Sequence, residues 1–486
     1  MTQRTEYFDD DKKQLLPAGY LDGGSGCSSS SSGGGGNGGS AGHHARAQAT
    51  FATTAAPALP SRPNVPDEHM PAPGELPPAY SFSDPHIPVA RPLQIATAAS
   101  STSLEAYRDL KIDQMKPSEL VATKAFAFDR PVYIHTTGIS SSTLIIEPDT
   151  DCTNTDAIVV RAEVSSQISG LDNKCNVTVA INELNEYDFY VCSTASIWSL
   201  KSINCRFIVR VPSNHAGSHP GVRIALTNGR ADLNYLHGMS FGFIDLKTTC
   251  GDVSLTNVRG GRINIGTTRG AIKSNNVVAT EMYDVQTTNS KVTLVDVRAM
   301  RVSAVTSNAS ITMTTISGDA VVAETTNCKI ECTNVSAVNM KLTTTNSSIE
   351  TNHVAATNLY LNTRNAKIEG TWRIRSLLDV VTTNSRIIGA ILLEDPTVHA
   401  NIRLSTTNSK IKATLPAESF RGVFDAKTSN SSASVQWPRG KSPSMPPFQY
   451  IINDKSYKRG TVGNVDSMRH QFSAITSNSG IDLRFV

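Results

Sequence analysis

One short pattern recurs down the second half of this 486-residue chain at an almost fixed interval, and it leaves few folds open. The pattern is Thr-x-Asn followed by a small residue. Its third position is occupied by Cys250, Arg269, Asn289, Asn308, Asn327, Asn346, Asn365 and Asn384, at successive steps of 19, 20, 19, 19, 19, 19 and 19. Looser copies follow at Asn408, Asn430 and Asn478. A unit this short cannot bury its own apolar side and must stack on the next copy.

Counted from the Asn, Thr stands two positions earlier in every copy, as at Thr287, Thr325, Thr344, Thr382 and Thr476. A small residue follows it, for example Ser290, Ala309 or Ser347. An aliphatic stands three positions later, as in Val292, Ile311, Ile330, Ile349 and Ile368. Apolar residues also stand four and six positions earlier, as Leu342 with Met340 and Leu361 with Leu359. Spacing by two is the period of a strand with one face inward. The unit has no helical spacing and is too short for a helical crossover. Each repeat is therefore expected to hold two short strands and two turns. Each strand would pair in parallel with its equivalent one repeat away.

The fold class so predicted is all-β, a parallel β-solenoid (β-helix) with coils of about 19 residues. Eight or nine coils at about 4.8 Å each give a rod on the order of 40 Å. The turn asparagines Asn289, Asn308, Asn327, Asn346, Asn365, Asn384 and Asn408 are expected to stack as a structural ladder. Asn suits such a turn because it tolerates left-handed backbone angles and bonds locally.

The rest of the chain divides by texture. Residues 1–118 form a low-complexity tail, expected to be disordered, with Ser28–Ser32 running into Gly33–Gly36. Thr102-x-x-Glu105 resembles a capping box that could start a short helix through Leu110. Residues 119–235 read as a β-rich capping region, because an uncapped solenoid end exposes strand edges. Residues 236–436 are the solenoid. Residues 437–486 are a Pro- and Gly-rich loop followed by a closing coil.

Composition excludes several classes. A net charge of +3 with 18% charged residues points to neither nucleic acid nor an anionic membrane. No apolar stretch is long enough for a membrane span, and the polar N-terminus has no secretory h-region. The expected location is thus cytoplasmic, with reduced cysteines. The eight Cys form no paired knuckles and the His are scattered, His215 and His219 flanking one loop. No metal site and no cofactor are expected. Acids occupy several offsets in the repeat, as Asp252, Asp296, Asp319 and Asp379 do. Only Glu331, Glu350 and Glu369 share one, beside a basic column at Lys291, Lys329, Lys367, Arg386 and Lys410. Alternating charge of this kind is ordinary on a solvated sheet face. A carbohydrate-active lyase or hydrolase, the main enzymatic alternative, would need carboxylates converging in one cleft. A self-assembling filament is a further alternative, and an ice-binding Thr face a minor one.

One tail motif carries its own mechanism. Pro77-Pro78-Ala79-Tyr80 fits the Pro-Pro-x-Tyr string that WW domains bind, two prolines pre-setting the extended helix and Tyr80 filling a pocket. The partner implied is a WW-domain protein such as a ubiquitin ligase or adaptor.

The repeat, as in Thr287-Thr288-Asn289-Ser290-Lys291-Val292 and Thr382-Thr383-Asn384-Ser385-Arg386-Ile387, resembles the uncharacterised putative adhesin family of bacteria and fungi. With its Ser/Gly-rich tail and Pro-Pro-x-Tyr string, the chain looks like a fungal, intracellular branch. The resemblance covers about 240–436 and the terminal coil. It implies a β-solenoid and brings no catalytic residues. The function expected is a non-enzymatic scaffold or binding protein, taking a protein or carbohydrate ligand on a solenoid face.

Overall fold

The computed structural model describes residues 110–486, apart from 117, 128, 150–156, 168–170, 172–173, 194–202, 213–217, 235, 237–238, 439–444 and 465–467. The tail motif at Pro77, Pro78 and Tyr80, the expected helix before Leu110, and His215 lie outside the described residues. The strand Lys111–Lys116 falls within the stretch expected to be tail.

The described chain is all-β, and its central strands pair in parallel, coil upon coil. Ile311, Ile330, Ile349, Ile368 and Ile387 are mutual partners along one column. Val321, Met340, Leu359 and Leu378 make another. All are fully or almost fully buried. Each such aliphatic contributes about 1.5–3 kcal/mol by leaving water, so one long dry axis holds the rod together. No helix among the described residues is long and apolar enough to cross a membrane.

The coil is not two strands with two turns. Most coils are one long strand, such as Ile330–Thr343 or Ile349–Asn362, that bends without breaking. The bend is a single left-handed residue at Asn257, Asn276, Asp296, Thr315, Asn334 and His353, with φ between 50° and 58°. It lies seven positions after the turn, and none of the ladder asparagines from Asn289 to Asn478 has positive φ, although Asn228, in the turn before the first repeat, does. The expected left-handed turn Asn is therefore corrected: the left-handed residue is the one that redirects the strand. A third inward side chain follows each bend, seen as Val258, Val277, Val297, Ile316, Val335 and Val354. Thr315 is the one β-branched residue at such a bend, where Cβ crowds the carbonyl at a cost of about 1–2 kcal/mol. Thr315→Asn should therefore stabilise by about 1 kcal/mol, read as a higher urea midpoint with unchanged slope.

One coil departs from the pattern. Between Thr351 and Val354 the register against the next coil skips a residue, and it recovers after Ala356. Trp372 stands where the bend would be, fully buried, its indole Nε1 donating to Thr351 Oγ1 at 2.7 Å. Gly389 lies on its ring face, where a Cβ would come within 2.1 Å of the indole.

Both ends of the rod stack out of chain order. At the start, the strands Val132–Thr137 and Ser141–Asp149 lie between the later pairs Tyr187–Ser193 with Ile203–Pro212 and Val222–Leu226 with Gly229–Asn234. Antiparallel strands then close this end: Cys175–Ile181 on one sheet, Ala157–Ser166 and Glu119–Ala127 on the other. At the far end, the final segment His470–Thr476 and Ile481–Phe485 lies between Asn401–Ser405 with Ile411–Leu415 and Gly422–Thr428 with Ala433–Gln436. The antiparallel pair Phe448–Asn453 and Tyr457–Val462 covers the outermost strand. An aromatic plug of Phe424, Trp437, Phe448 and Phe485 fills the space beneath. The rod thus has more levels than the repeat spacing suggests.

Candidate functional site

The turn corner is the first candidate surface. Each Asn donates from Nδ2 to Oδ1 of the Asn one level before. The series is Asn308 to Asn289, Asn327 to Asn308, Asn346 to Asn327, Asn365 to Asn346, Asn384 to Asn365 and Asn408 to Asn384, at 2.7–2.8 Å. It continues out of chain order, Asn478 to Asn408 and Asn430 to Asn478. All seven asparagines singled out in the sequence therefore share one exposed column, with two more at its end. The threonines do not ladder with each other. Every turn Thr from Thr248 to Thr476 is buried, and most donate to the turn carbonyl of the adjacent level. Thr344 bonds the carbonyl of Cys328, Thr363 that of Ser347 and Thr382 that of Ala366. Both residue types are thus consumed in joining coils. Asn346→Ala leaves Asn327 Oδ1 without its donor and Asn365 Nδ2 without its acceptor. A loss of about 1–2 kcal/mol is expected, measured as a drop in melting temperature against Thr326→Ala as an exposed control.

The Glu column is also engaged. Lys329 bridges Glu331 and Glu350 at 3.5 and 2.7 Å, and Lys367 bridges Glu350 and Glu369 at 3.1 and 3.0 Å. The bond from Lys329, reinforced by Lys367, holds the Glu350 carboxyl below its ordinary value against the opposing effect of partial burial. A depressed carboxylate stabilises the fold above its unfolded pKa, near 4.3. That stabilisation disappears as pH falls through the lower folded value. Glu350→Gln should therefore cost about 0.5–1 kcal/mol at pH 7. In urea titrations the gap from the parent should close as pH falls below the ordinary Glu range, and it should shrink in high salt.

A third cluster lies on the sheet near the start of the rod. The His135 ring is stacked between Tyr133 and Tyr190, at 4.4 and 4.2 Å, and its Nε2 pairs with Asp188 at 2.7 Å. Arg223 bonds the buried Glu186 at 3.1 Å and lies near the faces of Tyr133 and Phe243. Rings and charges here cover one another, so the cluster presents edges and not a free platform. Asp379 stands apart from all of these, its carboxyl raised by burial in spite of Arg403.

The fourth surface was not singled out in the sequence. Ten positions after each turn residue stands Ala279, Ala299, Gly318, Ala337 or Ala356. Gly318 pairs with Ala337 and Ala337 with Ala356, so one small residue per coil forms the floor of a lengthwise groove of about 560 Å³. Its walls include Met300 and Val338, which stay 58% and 46% exposed. Arg298, Asp319, Arg375 and Glu394 place both signs of charge along it. The bulkier Ile374 pairs with Ala356 and takes over the column beyond it. The floor was legible as a repeated small residue in the 19-residue frame. Its concavity was not, because that depends on how each strand bends.

Residues 140–308, less than half of the chain, match the family model described as Toastrack DUF4097. That span runs from the first coil strands to the second ladder asparagine. No curated protein matches. Three solved structures are similar. A putative cell adhesion protein from Clostridium sporogenes ATCC 15579 has 7% identity, covers 76% of this chain and 100% of its own, and gives a TM-score of 0.15. A putative adhesin from Bacteroides fragilis NCTC 9343 has 12% identity over 57% of this chain and 100% of its own, with a TM-score of 0.26. A putative adhesin from Parabacteroides merdae ATCC 43184 has 14% identity over 55% of this chain and 93% of its own, with a TM-score of 0.27.

Proposed function

We propose that this chain is a non-enzymatic, adhesin-like binding scaffold whose solenoid holds an extended polymer, a protein segment or a glycan chain, along the groove over Ala279 to Ala356. The observation that carries this reading is the groove itself. Its floor repeats once per coil, its walls keep apolar side chains in water, and its rim offers donors and acceptors of both signs. A rigid concave surface with few polar groups is what binding without large ordering cost needs. The clustered glutamates support a scaffold over a lyase or hydrolase, because each is paired with lysine on the rod's outer face. The test is a screen of the full chain against a displayed peptide library and a panel of soluble polysaccharides. Ligands should be recovered that bind Ala337→Trp at least tenfold more weakly. Ligands indifferent to Ala337→Trp would overturn the groove assignment.

The same proposal gives the tail a recruiting role. Pro77, Pro78 and Tyr80 would deliver a WW-domain ubiquitin ligase or adaptor to whatever the rod holds, which requires a cytoplasmic location. Pull-down from cytosol should recover WW-domain proteins with the parent and lose them with Tyr80→Ala. Equal recovery would reject the recruiting role.

A further inference from the structure

The last coil is a separable part. Among the described pairings, Gly422–Thr428 and Ala433–Gln436 touch the rest of the rod only through His470–Thr476 and Ile481–Phe485. The strands on the other side, Asn401–Ser405 and Ile411–Leu415, pair with that same final segment. The two sides share one frame: Ile411 and Ala433 both face Ile481, and Asn401 and Val423 both face Gln471. The 17-residue segment 470–486 therefore lies between two walls that share one register and that it alone joins by strand pairing.

We propose that the slot between the 401–415 and 422–436 coils is an exchange interface, and that its alternative occupant is the terminal coil of a second copy of this chain. The second copy fits because the slot selects for what only this segment carries. Phe472, Ala474 and Thr476 face inward on one strand, Ile481, Leu483 and Phe485 on the other, and Asn478 supplies the ladder amide between Asn408 and Asn430. Collapse of the 422–436 coil directly onto 401–415 would instead leave Phe472, Leu483 and Phe485 in water. An identical element from another molecule restores every contact, so exchange costs little at equilibrium and is limited by release. Intramolecular return competes at a high effective concentration, so exchanged dimers should grow with protein concentration.

The anchor of the segment is acid-sensitive in the right direction. His470, its first strand residue, is buried with its ring 5.5 Å from Phe420, and Nδ1 accepts from the Ala400 amide. The titratable and charged groups facing it are His399, Arg469 and Arg421, with Asp395 beside Arg469. Burial holds the imidazole below its ordinary value, so the neutral form is the one the slot accepts. Stability from this group is present above the unfolded pKa and is lost as pH falls through the folded one.

The experiment uses two full-length variants. Arg403 and Ser473 are Cα partners on adjacent parallel strands, within disulfide reach. Arg403→Cys and Ser473→Cys are purified separately, mixed at high concentration, held at pH 5, returned to pH 8 and oxidised. A covalent dimer should form in the mixture, at about tenfold or more over either variant alone, and in greater yield than in a mixture kept at pH 8. Light scattering of the parent after the same acid step should show a dimer fraction that rises with concentration. The double variant, oxidised before the acid step so that its own coil is stapled, should form none. Absence of mixed dimer, equal dimer from each variant alone, or undiminished exchange in the stapled chain would each overturn the proposal.

Discussion

Ile330→Asp should unfold the centre of the rod. Ile330 is fully buried, between Ile311 and Ile349 on the same column. The substitution removes about 2–3 kcal/mol of aliphatic burial and places a carboxyl where no donor can reach it, costing several more. A total near 5 kcal/mol is a large part of a domain's usual margin, so the variant should melt more than about 10 °C lower or fail to melt cooperatively. Ile330→Val keeps the shape and should cost about 1 kcal/mol. A parental melting temperature in Ile330→Asp would mean that the column is not a dry stack.

Deleting residues 470–486 should have an effect at least as large, though it removes only the end of the chain. Phe472, Ile481, Leu483 and Phe485 leave the core together, at about 1.5–3 kcal/mol each as an upper estimate. The coil at 422–436 also loses its backbone partners, and with it the hairpin that covers the end. Limited proteolysis should cut the truncated chain between 416 and 462, while the segment 285–390 stays resistant. The freed edges should aggregate at concentrations where the parent is monodisperse. Cutting spread evenly over the rod would show that the terminal coil is not the link.

Both results depend on different kinds of information. The column at Ile330 was legible in the sequence, because β-branched residues at a constant offset in a 19-residue frame have one economical explanation. The same holds for the ladder: Asn346 and Asn365 are 19 apart and bond at 2.8 Å. What the Thr two positions before each Asn bonds to was not legible, for a physical reason. A hydroxyl can satisfy itself on a neighbour's backbone carbonyl as well as on its own kind, and only the stacking of the coils decides which. The bend at Asn257 or Thr315 was missed because Asn, Asp, Thr and His all occupy it. A backbone angle can be conserved in space while its residue type changes.

The exchange of order at the two ends was beyond reading. Asn430 and Asn478 carry the same local signature, and both satisfy the frame equally well. Local chemistry fixes what one coil looks like, how it bends and which side chains go in, since these are set by periods of two and nineteen along one strand. It does not fix which coil stacks on which, because parallel edges in register are interchangeable to any single strand. That choice falls to tertiary packing. The antiparallel hairpin covers the 422–436 coil and the aromatic plug beneath it takes in Phe485, and together they put the chain's last residues inside the rod and not at its end.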